Sequence, residues 1–334
     1  MKAKKLPDRK YTRKQLEEIK NSETAQERRG LIQELVQRAG DGAAMSLAEK
    51  DYAYRIIRIS FNADTGQGLN IDDFPSLEEY HFKDLYRHYN SDLEGRYGIT
   101  DFRGIISIAQ KKVDVQKLNQ IFLQWKTITA KENHKEDLLN RVCVETRLEL
   151  KQLNDATTVE GLDFRTVSEK EKSIVLHARY LYLIVKEFFD EHEGKPVVAK
   201  FYEKEIEINH HSLAHIMSRH YAGAVKQFDT KKSFHFDASI DFRMLPFVLK
   251  EILETISSSG VLKGEPIDYN PFRHRGHIYA ICTTKAEKPI KGKQVKFTRL
   301  ETYYPVQEKS KLAEIASERI EISINPELKV FKKK

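Results

Sequence analysis

At Pro196 the periodicity of the chain changes, and that change does most to restrict the fold. Upstream, apolar residues recur three and four apart; downstream, they tend to alternate. The clearest helical segment lies just before the change. Residues 168–193 carry Ile174, Val175, Ala178, Leu181, Val185, Phe188 and Phe189 on one wide face, with Gly194 and Pro196 as stop signals. Ser168 and Glu171 have capping-box spacing at its start. A face that wide must bury against other helices. Helical patterning also covers 11–39 (a thin stripe of Leu16, Ile19, Leu31, Leu35 and Val36), 47–61, 76–89, 100–127 and 131–153. Residues 40–43 and a loop with Gly66, Gly68 and Pro75 interrupt it, and 157–166 reads as a connector.

Beyond Pro196, residues 197–208 alternate as a strand does. Residues 210–222 suit a short helix and 247–258 a second, with Pro246 in its first turn and Gly260 after it. Residues 277–284, 294–304 and 319–324 are rich in β-branched and aromatic side chains and predict strands. The expected fold is therefore α+β. A helical bundle over 1–195 precedes a C-terminal domain, 196–334, of two helices packed on an antiparallel sheet.

Charge divides along the same line. The 334 residues carry a net charge of +7, but residues 261–334 hold 16 Lys and Arg against 9 Asp and Glu, while the first 260 are balanced at 41 each. Clustered basic charge suits a polyanion, because phosphate contacts release condensed counterions; a solvated surface with a frayed lysine tail, Lys332–Lys334, explains part of it. No run reaches the length of about eighteen apolar residues that a membrane span needs. The basic, polar residues 1–14 have no apolar stretch behind them and do not read as a secretory signal. The two cysteines, Cys143 and Cys282, fit no metal-ligand spacing and no disulfide framework. These features predict a soluble chain in a reducing, cytoplasmic compartment, with no membrane partner.

Reactive side chains are densest from His210 to His220. On a helix His211, His215 and Arg219 share one face, and Leu213, Ile216 and Met217 occupy the opposite, buried one. His220 joins the apolar side if the helix runs that far. Two histidines and an arginine on one stripe suit a phosphodiester, since arginine clamps phosphate and histidine moves protons near neutral pH. The His-x-x-x-His spacing also suits a zinc pair, but the metalloprotease glutamate and an obvious third ligand are absent. A structural role for the histidines stays open.

A second cluster lies among the strands. Arg273, His274 and Arg275 fall in a turn bounded by proline and glycine. On the strand 294–304, Lys296, Thr298, Leu300, Thr302 and Tyr304 point one way and Phe297, Arg299, Glu301 and Tyr303 the other. The first of those faces suits a phosphate and a ribose hydroxyl; an ordinary half-exposed strand has the same pattern.

The order of a helix with His215-Ile216-Met217-Ser218-Arg219-His220, a second helix, and strands with one ending in Thr302-Tyr303-Tyr304-Pro305 resembles the barnase–EndoU–colicin–RelE-like nuclease superfamily, particularly its phage and mobile-element members. The resemblance covers about 197–324 and leaves the helical part unmatched. It implies two helices on a four-stranded antiparallel sheet and a metal-independent endoribonuclease without cofactor. His215 and His220 would then be the acid/base pair, Arg219 would neutralise phosphate charge, and Thr302 and Tyr304 would position the substrate. His211, Arg273, Arg275, Lys296 and Arg299 would bind the RNA backbone. Two features depart from that pattern: His211 is an extra histidine, and the long insert 222–239 carries His235. The expected role is a toxin or phage-defence effector, and the charge-neutral helical domain is where an antitoxin or regulatory protein would engage it. A nucleic-acid-binding protein without catalysis and a helical scaffold are the alternatives. No Gly-rich phosphate loop, nucleophile elbow or dinucleotide turn competes.

Overall fold

The computed structural model describes residues 11–21, 24–64, 69–89, 108–220, 244–290 and 292–334. Gly66, Gly68, residues 100–107 of one expected helix, and the insert with His235 lie outside them. The chain divides into two compact units, Met1–Tyr89 with Asp101–Leu123 and Asn90–Thr100 with Gln124–Lys334.

The first unit contains α1 (Arg13–Lys20), α2 (Ala25–Gly40), α3 (Leu47–Asp64), α4 (Glu78–Tyr89) and the start of α5 (Ile108–Ala130). The segment expected as one helix over 11–39 is two, because Asn21 closes α1 at a C-cap. Leu16, Leu31, Leu35, Tyr54, Ile57 and Leu69 form the core. Glu49, fully buried, ties it together by accepting from Arg38 and from the Tyr11 backbone N–H, both at 2.8 Å.

The second unit runs α6 (Asp137–Glu160), α7 (Phe164–Glu191), β1 (Val197–Phe201), β2 (Lys204–Ile208), α8 (His210–His220), α9 (Leu245–Ser259), β3 (Tyr269–His274), β4 (His277–Ile290), β5 (Lys293–Pro305), α10 (Lys309–Glu318), β6 (Arg319–Ser323) and β7 (Leu328–Lys333). The architecture is α+β, with most helices before the sheet. The boundary expected at 195/196 falls inside this unit, because α6 and α7 pack on α8. The apolar face of α7 finds its partners there.

Local differences have local causes. Helix α7 begins at Phe164, not 168, because the Asp163 carboxylate accepts from the Thr166 N–H at 3.0 Å and caps it earlier. Gly161, at φ +65°, ends α6 and shortens the connector to 161–163. The expected strand 197–208 is a hairpin that turns at Tyr202, φ +55°. Arg273 and His274 belong to β3, so the turn is only Arg275-Gly276, both at positive φ. Lys332 and Lys333 of the tail belong to β7, which pairs with both β3 and β6.

The sheet has seven strands in the order β1-β2-β5-β4-β3-β7-β6, where the resemblance implies four. Neighbours are antiparallel except β2 and β5, whose short parallel contact joins Ile206 to Thr298 and Glu207 to Arg299. Where β2 stops, α8 takes its place along β5. The Asn209 side chain accepts from the N–H groups of His211 and Ser212 and starts the helix. One turn on, Ser212 Oγ donates to the Leu300 carbonyl at 2.5 Å, satisfying a strand edge that β2 has left.

Opposite, β5 carries a bulge. Thr302 pairs with Cys282 and Leu300 with Thr283, so Glu301 has no partner on β4. The alternation shifts phase there. Leu300 and Tyr303 are both fully buried although three residues apart. Thr302 and Tyr304 consequently leave the face of Lys296, Thr298 and Leu300, contrary to the uninterrupted strand expected from sequence.

Ser212→Ala leaves the Leu300 carbonyl buried without its donor. It is expected to cost about 1–3 kcal/mol, read as a lower urea midpoint with an unchanged denaturant slope. An unchanged midpoint would show that the hydroxyl does not hold the helix to the strand.

Candidate functional site

Helix α8 presents its two faces as the sequence predicts. Leu213, Ile216 and Met217 are buried, and His211, His215 and Arg219 form the other stripe. That stripe does not face open solvent. It meets Arg141 and Glu145 on α6 and Glu301 at the bulge of β5.

Glu145 is the centre. Its side chain is only 2% exposed. Oε2 accepts from Arg219 Nε at 2.7 Å, while Oε1 lies 2.6 Å from Arg141 Nη2 and 2.9 Å from His215 Nδ1. Burial by itself would raise the Glu145 pKa. The hydrogen bond and charge of His215, with Arg141 and Arg219, outweigh it and hold the carboxyl down at about 2. Arg141 Nη2 reaches on to Glu301 Oε1 at 3.7 Å, and Glu301 Oε2 accepts from Arg299 Nη2 at 2.8 Å. Charges alternate along this chain: Arg219, Glu145, Arg141, Glu301, Arg299.

The two stripe histidines differ. His215 Nδ1 lies between the Glu145 carboxylate and the Arg141 guanidinium, 2.6 Å from Nη2. The carboxylate favours a proton on Nδ1 and the guanidinium a lone pair. Nε2 of His215 has no hydrogen bond among the described residues. His211 Nε2 is buried, has no hydrogen-bond partner among the described residues, and stands 4.0 Å from Glu301. Burial first, then the nearby Arg299 and Arg141, push the His211 pKa down to about 3, so the folded protein keeps it neutral.

His220 belongs to a different environment. Five residues after His215, it points about 140° away around the helix. Its Nε2 lies 3.1 Å from Thr302 Oγ1, and its ring stacks on Tyr304 with centroids 5.3 Å apart. Tyr304 packs against the cluster of Ala280, Val306, Ile315 and Phe331, and burial pushes its pKa up. Thus His215 and Arg219 come together, while His220, Thr302 and Tyr304 form a second, packed group.

Of the expected backbone-binding residues, Arg299 lies in the charge chain and His211 beside it, 4.0 Å from Glu301. Lys296 is exposed three residues along β5. Arg273 and Arg275 do not join it. They lie toward the other end of β4, paired with Glu321 at 2.6 Å and Glu327 at 3.3 Å. Among the described residues no group of three His, Cys, Asp or Glu is placed to hold a metal ion.

Arg141, Glu145 and Glu301 are the participants that sequence reasoning missed. The only local signal is the i,i+4 spacing of Arg141 and Glu145, which many solvated helix faces share.

Glu145→Ala leaves the partly exposed Arg141, His215 and Arg219 without their shared carboxylate and is expected to cost about 1–3 kcal/mol, measured by urea unfolding at neutral pH. The acid side follows from two depressed values. Glu145 drops from 4.5 to about 2 on folding and His211 from 6.5 to about 3. Each therefore stabilises fully above its unfolded value and loses that contribution as pH falls toward the folded one. Stability should decline below pH 6.5, and His211→Gln should flatten the decline between 6.5 and 4.5 and leave only the Glu145 part of the loss below it. Parallel profiles for the two proteins would show that His211 titrates normally in the fold.

Comparison of the chain with protein-family models, with curated proteins and with solved structures finds no match in any of the three.

Proposed function

We propose that the second unit is a metal-independent endoribonuclease centred on His215. One observation carries this reading. A buried carboxylate holds the imidazole by Nδ1 and leaves Nε2 without a partner among the described residues, beside an arginine held by the same carboxylate. That is the arrangement of a positioned general base. With the Nδ1 proton directed to Glu145, the Nε2 lone pair accepts the proton of a ribose 2′-hydroxyl. The 2′-oxygen attacks the adjacent phosphorus, the bond to the 5′-oxygen breaks, and that oxygen takes a proton from water. The products are a cyclic phosphate and a 5′-hydroxyl, and the imidazolium returns its proton to solvent. Arg219 spends Nε on Glu145 and keeps both terminal nitrogens for the non-bridging oxygens, where charge grows in the transition state. Its side chain is 31% exposed, which leaves it accessible to a phosphate.

This reading gives His220 a packing role through Thr302 and Tyr304 and keeps a single histidine for proton transfer. It extends to a cytoplasmic toxin or phage-defence effector whose activity a regulatory protein restrains through the helical unit. The two unpaired cysteines suit a reducing compartment. Among the described residues no helix is long and apolar enough to cross a membrane.

A second reading, RNA binding without cleavage, has its own support: the arginines of the cluster are already matched to Glu145 and Glu301. Incubation with mixed-sequence RNA in EDTA separates the two. Wild-type protein is expected to leave cyclic phosphate ends, and His215→Ala to lose on the order of 10²–10⁴-fold in rate. His220→Asn should cleave normally per folded molecule. Wild-type binding with no cleavage would favour the second reading.

A further inference from the structure

Strands β4 and β5 outrun their neighbours. The last pair of β3 with β4 is Tyr269 with Cys282, and β2 pairs with β5 only at Thr298 and Arg299. From Ala286–Phe297 to Ile290–Lys293 the two strands pair only with each other among the described residues. The result is a two-stranded arm about 15 Å long, closed by a turn at Gly292, φ +77°. Isolated ribbons of this size are marginal in water. This one is braced at its middle pair, where Lys288 binds Glu207 of β2 and lies over the Phe297 ring, 4.7 Å from its centroid.

The arm is strongly basic. Residues 285–296 contain five lysines and one glutamate, a net +4 within a chain whose total is +7. The side chains of Lys285, Lys293 and Lys296 are exposed and make no hydrogen bond or ion pair with any described residue. The strand register puts Lys285 and Lys296 on one face and Lys293 on the other, so charge is offered on both sides.

Shape and chemistry agree on a partner. A two-stranded ribbon can enter a nucleic-acid groove. Lysine is a point charge suited to phosphate, whereas base reading relies mainly on arginine, asparagine and glutamine forks, of which the arm has only Gln294. The wide, shallow minor groove of an A-form helix is accessible and flanked by phosphates and 2′-hydroxyls. The arm also grows from the strand that carries Arg299 and Glu301, so a duplex held on it is brought to the His215 side of β5.

We propose that this arm grips the backbone of a double-stranded RNA stem, and that the substrate is a structured RNA cut beside such a stem. The substrate assignment rests on the cleavage reading; the grip on duplex RNA does not.

The test is fluorescence anisotropy with a short RNA duplex methylated at its 2′-oxygens, comparing the wild-type chain with Lys285→Gln/Lys293→Gln/Lys296→Gln. These side chains are exposed, so the variant should fold. The variant is expected to bind at least about tenfold more weakly at low salt, with a salt slope shallower by roughly 2–3, close to one for each phosphate contact removed. Equal affinity and slope, or no duplex binding by wild type, would overturn the proposal. Tighter binding of a DNA duplex would overturn the choice of RNA. Cleavage of an unstructured RNA by the same two proteins keeps the readings separate. Arm-dependent duplex binding without cleavage defeats only the nuclease, and cleavage with arm-independent binding defeats only the arm.

Discussion

The second unit depends on one buried carboxylate. Glu145 has almost no contact with water, and a bare carboxylate there would be costly. Arg141, Arg219 and His215 compensate it, and each comes from a definite place. Arg141 lies one turn earlier on α6, and His215 and Arg219 lie one turn apart on α8. The carboxylate therefore fixes the rotation of α8 about its own axis as well as its distance from α6. Through Arg141 the same network reaches Glu301 and Arg299, so the sheet is held to the helices by charge as well as by apolar packing. Paired charges in such a place add little net stability over apolar residues; they specify one arrangement, because each is costly when mispaired.

Two features of β5 decide what α8 can offer. The helix continues the line of β2 and uses Ser212 to satisfy the strand edge, which places its polar stripe over α6 and the bulge. The bulge then turns Glu301 out of the β4 pairing and moves Thr302 and Tyr304 to the face of Arg299 and Phe297. His220 follows them, stacked on Tyr304. The separation of His215 from His220 is thus a consequence of helix geometry and of one extra residue in a strand. It makes a single-histidine site the simplest chemistry for this arrangement.

Much of this was legible in the sequence. The α+β class, the buried face of α8, the shared stripe of His211, His215 and Arg219, and the stops at Gly194 and Gly260 all follow from local patterns. The rest depended on contacts distant in sequence. Glu145 is 70 residues from His215 in an ordinary charged helix, and nothing local distinguishes it. The bulge at Glu301 reflects register with β4, which alternation along a single strand cannot show. β7 was hidden because its lysines read as a frayed tail, and β3 because its proline and arginines read as a turn. The arm is an intermediate case. Its lysines were counted in the charge excess, but their gathering on one projecting ribbon appears only when β2 and β3 are seen to end early.

The claim on which the functional account turns is that Glu145 sets the tautomer of His215. Long-range 1H–15N correlation of imidazole-labelled protein in alkaline buffer, assigned with His215→Gln, reads this directly. A proton on Nδ1 and a lone pair on Nε2 are expected, with that preference lost in Glu145→Gln. A proton found on Nε2, with Nδ1 accepting from Arg141, would contradict it and leave His215 without the lone pair that proton abstraction requires.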